Sequence, residues 1–222
     1  APLAVAGVAG LGWWWVWSRG WRQDLGPQQV GRGLSLPNVA EADRGPGWWG
    51  SAFLLVADAT LFGALLFGYA FLWTVAPGWP PPAFIAPSAL ALGVAPVGAV
   101  LALVGTLAAV RANGAGRSPE GGLLLALAGL AGLALGLGTM VAEAPPATGH
   151  AYGATLLVMG AYGLFHVAVA VLVLAFLVAR HRAGYLSPRR RAELAIAPLW
   201  AGYAGAATLL ILLAAYGPGV AS

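Results

Sequence analysis

The distribution of charge along this chain constrains its fold more than any other feature. Five apolar runs, at residues 48–75, 84–110, 121–142, 150–179 and 194–216, are separated by polar connectors. A helix rises about 1.5 Å per residue, so each run can cross the roughly 30 Å hydrocarbon core of a bilayer. Inside that core the backbone must satisfy its own hydrogen bonds, which leaves helices as the natural form for such runs. A further apolar run at residues 2–17 is at the short end of what can span. The sequence therefore predicts an all-α integral membrane protein: a five-transmembrane-helix bundle preceded by an additional N-terminal apolar helix.

Composition supports lipid contact over a soluble fold. Sixty per cent of the residues are apolar and 8% are charged, against about a quarter charged in soluble domains. Glycine and alanine lie inside the apolar runs, where small side chains allow helices to approach closely. The step Gly132 to Gly136, flanked by Gly129 and Gly138, is the clearest such surface. With no cysteine, disulfides, thiolate metal sites, c-type haem attachment and cysteine nucleophiles are excluded within the sequence.

The chain divides into an N-terminal membrane helix at 1–17, a polar connector at 18–47 read as a loop, a five-helix membrane domain at 48–216 and a short tail at 217–222. It starts without methionine and lacks a basic n-region, so the first stretch reads as a remnant of a longer chain or a processed terminus. All eleven basic residues are arginines, and all lie in the connectors at 18–47, 111–120 and 180–193. Alternate connectors contain none. This segregation places the basic loops on the cytoplasmic side, or the matrix side of an organelle, and the C-terminus outside. It reads as topology and not as nucleic-acid binding. Trp13, Trp14, Trp15, Trp17, Trp48 and Trp49 then fall near the inner interface, with Trp73 and Trp79 near the outer one, as in aromatic belts.

Two ionisable residues interrupt the apolar runs near their middles. Asp58 lies about 15 Å beyond the inner interface by helical rise. A carboxylate there must face other protein, be protonated or touch a water-filled site. Hydroxyl groups or His166 are its expected partners. His166 itself reads as a neutral histidine bonded to a backbone carbonyl or to a neighbouring helix. Glu143 and His150 flank an outer connector and form a candidate polar pair, with solvation at the helix ends as the simpler alternative. The three histidines, His150, His166 and His181, fall at outer edge, midplane and inner loop, so no metal-ligand or catalytic set emerges. Thr60, Thr106, Thr155 and Thr208 can bond back to their own helices.

Several of these stretches resemble subunit III of the haem-copper terminal oxidases, the cytochrome c or quinol oxidase family. Trp48-Trp49-Gly50, then Asp58-Ala59-Thr60-Leu61-Phe62-Gly63 and Gly68-Tyr69, is similar to the family's helix that opens with tryptophans and carries a membrane carboxylate, generally glutamate. Tyr152-Gly153 and Gly160-Ala161-Tyr162-Gly163-Leu164-Phe165-His166-Val167 resemble its Tyr-Gly start and Gly-x-His-Gly-Leu-His-Val core, with Tyr162 in place of one histidine and one extra residue before His166. Gly184-Tyr185-Leu186-Ser187 lies in a basic connector like that before the family's last helix. In that helix Trp200 matches, whereas the family's histidine and aspartate do not.

The resemblance implies a five-helix form lacking the family's first two helices. Some members are fused to subunit I, whose last helix has the orientation expected of residues 1–17. It implies a supporting role in a proton-pumping oxidase of the bacterial cytoplasmic (inner) membrane: packing on subunit I, binding phospholipid and sustaining proton uptake. Haem and copper would belong to the partner subunits I and II, with no cofactor but lipid on this chain, and a larger respiratory supercomplex is a further possible partner. Asp58 and His166 are then the leading functional residues, with Tyr69, Tyr162 and Trp200 orienting helices or lipid. A membrane anchor or scaffold of another respiratory or transport assembly would leave nearly the same sequence, and a small autonomous transporter is a third reading.

Overall fold

A computed structural model describes residues 27–36, 44–81 and 88–220, together with Gly7 and Gly10. Both of those glycines are helical; the rest of the expected N-terminal helix lies outside the described residues. Five long helices follow in order: α1 (Pro46–Val75), α2 (Ala89–Gly114), α3 (Glu120–Glu143), α4 (Ala151–Arg182) and α5 (Ala197–Val220), the last preceded by a 3-10 turn at Leu194–Ile196. All five are long and apolar enough to span a bilayer. The chain is a multi-pass integral membrane protein.

Local chemistry sets the helix ends. Pro46 opens α1, where its missing N–H costs no helical bond. The chain leaves α1 through Ala76, whose N–H bonds Leu72 O at 2.8 Å, just before Pro77 and Gly78. At the start of α4, Nδ1 of His150 accepts from the Tyr152 N–H at 3.0 Å and caps the helix. Five of the six threonines in these helices bond back three residues: Thr60 to Ala57 O, Thr74 to Phe71 O, Thr106 to Leu103 O, Thr139 to Gly136 O and Thr155 to Tyr152 O.

The helix bounds differ from the sequence expectation at several ends. Helix α2 starts at Ala89, and α5 continues through part of the expected tail to Val220. The connector before α1 is not all loop. It holds an antiparallel ribbon, β1 (Gln28–Gly31) and β2 (Leu34–Leu36), paired Gln28↔Leu36 and Gln29↔Ser35. Arg32 and Gly33 at its tip both have positive φ, 50° and 75°, the backbone that a tight two-residue hairpin turn requires.

Between membrane helices the hydrophobic effect supplies little, so close packing decides the arrangement. The tightest pair is α2 with α3. Ala91, Ala95, Gly98, Ala102, Gly105 and Ala109 recur at heptad spacing on α2, and Gly122, Gly129 and Gly136 do so on α3. A Cβ added at Gly129 would sit 2.3 Å from the Ala102 backbone nitrogen, so the two backbones are in direct contact. Gly132 and Gly136 share this face, whereas a Cβ on Gly138 would meet nothing within 4 Å. Gly138 thus drops out of the expected packing surface, because it is turned away from α2.

Helix α5 packs against α2, α3 and α4, while α1 lies outside, resting mainly on α5 and the 3-10 turn. Only 11% of the most apolar window of α1 is buried, against 33–44% in the other four. Its buried residues, Leu55, Phe62 and Tyr69, fall seven apart on a single seam. A groove of about 470 Å³ runs between α1 and α4, lined almost wholly by apolar side chains including Ala64, Leu65, Leu72, Val158 and Met159.

Candidate functional site

Asp58 lies on the buried seam of α1, one turn before Phe62. Counting about 1.5 Å per residue, it is about 18 Å beyond Pro46, and Tyr203 is about 14 Å beyond Leu194, so the two approach the same depth from the same end. Tyr162 is about 17 Å into α4 from the opposite end. Three helices thereby deliver polar side chains to one level near the middle of the bundle.

All the polar contacts converge on Oδ2 of Asp58. The Tyr162 hydroxyl donates to it in a short hydrogen bond. The Tyr203 hydroxyl donates from 2.6 Å, and Nε2 of His166 lies 2.9 Å away. The two hydroxyl oxygens are 2.5 Å apart. Phe62 stacks on the Tyr162 ring with centroids 4.9 Å apart and planes 3° from parallel, which holds the phenol against the carboxyl group. His166 packs against both tyrosines, with ring centroids at 4.2 Å and 5.2 Å. The His166 side chain is 4% exposed and that of Asp58 23%, so the histidine is enclosed while the carboxyl group sits at the rim of the bundle.

The hydrogen-bond chemistry constrains the protons. A carbonyl oxygen can only accept, so Nδ1 of His166, 2.8 Å from Tyr162 O, must donate. The opposite nitrogen faces Oδ2, and a bond there requires one more proton. That proton is held either by the imidazole, as imidazolium beside carboxylate, or by Asp58, as carboxylic acid beside neutral imidazole. In both forms the pair has zero net charge, the condition that a low-dielectric interior favours. A site of this kind can hold one proton between two atoms, relay it, or lock α1 to α4 and α5.

Comparison of the sequence with family models and with curated proteins gives no match. The structure thus brings together Asp58, Tyr162 and His166 from among the residues singled out by sequence, and adds Tyr203. The expected hydroxyl partners prove to be tyrosines and not the spanning threonines. Tyr203 sits in a stretch of α5 where the resemblance noted from the sequence lapses, so no motif singles it out. Its depth, matched to that of Asp58, was the available signal.

The other candidates lie elsewhere. Tyr69 belongs to an aromatic cluster at the far end of the groove, with ring centroids 5.5 Å from Trp79 and 6.3 Å from Tyr152. Trp79 is buried there, 5.1 Å from Tyr152, so it is an internal packing residue and not the lipid-belt tryptophan expected. The Tyr152 hydroxyl donates to Ala215 O at 2.6 Å and ties the start of α4 to the end of α5. Trp200 is half-buried against the core near the start of α5. No hydrogen bond or ion pair joins Glu143 and His150 among the described residues; Nδ1 of His150 instead caps α4. Among the described residues no group of three or more His, Asp or Glu is placed to hold a metal ion.

The arginine-bearing end is folded as a unit. Buried Arg180 pairs with Glu193, its Nη2 donating to Oε1 at 2.9 Å, and lies over the ring of Tyr185. Arg190 reaches the same carboxylate at 3.3 Å. Arg182 pairs with Glu120 across α3 and α4, and Asn113 Nδ2 donates to Ser187 O at 2.9 Å.

Proposed function

We propose that the chain is a non-catalytic supporting subunit of a proton-pumping haem-copper terminal oxidase, similar to subunit III of that family. The observation that carries the reading is the mid-depth cluster in which Asp58, Tyr162 and His166, from the two stretches that resemble the family most, meet Tyr203 of α5. It joins a loosely packed outer helix to the bundle through a neutral acid–imidazole pair. Such a pair can exchange a proton without placing net charge in the bilayer. The partners are subunits I and II, which bear haem and copper, with the arginine-bearing loops facing the cytoplasm of a bacterial cell and the C-terminus outside.

Gentle solubilisation followed by native mass measurement tests the assignment: the chain should be recovered with haem- and copper-containing subunits. Recovery only with an unrelated assembly would overturn it in favour of an anchor or scaffold elsewhere. In the intact reconstituted complex, Asp58→Asn should leave haem content and initial rate near normal, while lowering proton pumping or shortening turnover lifetime. An amide cannot share a proton with His166 as the acid does. Unchanged pumping and lifetime, at normal subunit content, would reduce Asp58 to a structural latch.

A further inference from the structure

The ribbon ahead of α1 has a sidedness that nothing described so far uses. Every residue from Gln28 to Leu36 is exposed, and a two-stranded hairpin without a surface to lean on is only marginally stable in water. Residues paired across an antiparallel ribbon share a face, and successive residues alternate between faces. Gln29 and Ser35 are paired and so share one face, while Leu36 and Gln28 share the other. Alternation from Gln29 and from Ser35 places Val30 and Leu34 with Leu36. These three are 61%, 57% and 50% exposed. One face is thus apolar except for Gln28 at its open end; the other is polar.

The chain keeps this apolar face close to a bilayer surface. Residues 37–45 link Leu36 to Pro46, and a segment of that length reaches about 30 Å at full extension. Its far end is fixed where α1 enters the membrane, since the Arg44 guanidinium lies 4.8 Å from the Trp48 ring centroid and Trp49 is exposed beside it. Tryptophan next to arginine marks the headgroup level. The ribbon's edges then set its depth. Each strand has one partner, so its outer N–H and C=O groups need water or headgroups, which hydrocarbon does not supply. The boundary between headgroups and hydrocarbon offers polar partners to the edges and an apolar side to the face.

We propose that the ribbon is an interfacial anchor: Val30, Leu34 and Leu36 enter the headgroup–hydrocarbon boundary at the arginine-bearing side, with Gln29 and Ser35 turned to water. An amphipathic helix at such a boundary buries its apolar face about 5–10 Å, and the ribbon follows the same logic. The contact is with the bilayer surface as a whole and calls for no particular headgroup. It rests on the connector alone, so it holds whatever assembly the chain joins.

The full chain contains no cysteine, so spin labels on single cysteines at positions 29, 30, 34, 35 and 36, in vesicles of phosphatidylcholine alone, provide the test. Collisions with oxygen, which concentrates in the membrane, are compared with collisions with a water-soluble nickel chelate. Labels at 30, 34 and 36 should favour oxygen several-fold over labels at 29 and 35, in a period of two. Chelate access at all five positions would overturn the anchor by showing the ribbon in water. Closure of 30, 34 and 36 to both reagents would overturn it in favour of a protein surface. A second measurement avoids labels on the apolar face: in the same vesicles, backbone hydrogen exchange across residues 28–36 should be several-fold slower in the unaltered chain than in Val30→Ser with Leu34→Ser and Leu36→Ser. Equal exchange in the two would also overturn the proposal.

Discussion

Replacing Asp58 by leucine should release α1 from the bundle without unfolding the rest. Three hydrogen bonds converge on one carboxyl oxygen of Asp58, with Tyr162, Tyr203 and His166. Interhelical hydrogen bonds in membranes are worth about 0.6 kcal/mol each on average and about 1.7 at most. Losing three therefore costs about 2 kcal/mol, and about 5 at the upper end. The neighbours soften the loss, since the two tyrosine hydroxyls, 2.5 Å apart, can still bond each other. What remains to hold α1 is one seam, with 11% of its apolar window buried, so the deficit should appear there first. The chain contains no cysteine, which allows clean spin labelling at exposed Val56 and Leu172, on α1 and α4. Pulsed electron-resonance distances between these labels should lengthen or broaden in Asp58→Leu. A control pair at exposed Leu172 and Leu213, on α4 and α5, should not change. Asp58→Asn keeps an acceptor oxygen and should lie between wild type and leucine. An unchanged α1–α4 distribution in Asp58→Leu, with wild-type resistance to denaturing detergent, would refute the idea that the carboxyl group latches this helix.

Other substitutions test the packing directly. Gly129→Ala drives a methyl group toward the Ala102 backbone and should lower resistance to denaturing detergent by about 1–3 kcal/mol, whereas Gly138→Ala meets open space and should be neutral or stabilising by up to about 1 kcal/mol. Arg180→Gln removes a buried guanidinium and the closer of the two arginines on Glu193, and should cost more than Arg182→Gln, whose arginine is 64% exposed and whose pair is worth about 1 kcal/mol at most; thermal unfolding of the two variants side by side decides it. Tyr152→Phe removes the buried bond to Ala215 O and should cost about 1 kcal/mol in the same assay. Maleimide labelling of single cysteines at positions 78 and 117 should mark opposite sides of the membrane, with 117 on the cytoplasmic side; labelling of position 117 from outside would reverse the proposed orientation.

The spans were legible because hydropathy reports on solvent. A backbone in hydrocarbon has to satisfy itself, and an arginine there is costly, so long apolar runs and segregated arginines mark helices and their ends without knowledge of packing. Asp58 and His166 stood out for the same reason, each being expensive where it lies. The hairpin at residues 28–36 was not legible, since a short polar connector with two glycines fits a loop as well as a tight turn. Gly138 likewise matched the small-residue pattern on paper, but only helix rotation shows which glycines face a neighbour.

Sequence alone thus determined that this chain spans a bilayer five times as helices and carries a carboxyl group and an imidazole near mid-depth. It could not determine that α1 stands outside the bundle, that Tyr203 reaches the same oxygen as Tyr162, or that Trp79 turns inward. Those depend on rotation and tilt between helices that are apolar on every side, and in hydrocarbon no hydrophobic stripe records which face turns inward. Backbone contact at Gly105, Gly122 and Gly129 and the convergence of three polar side chains on Asp58 supply that information, and both exist only once the helices are packed.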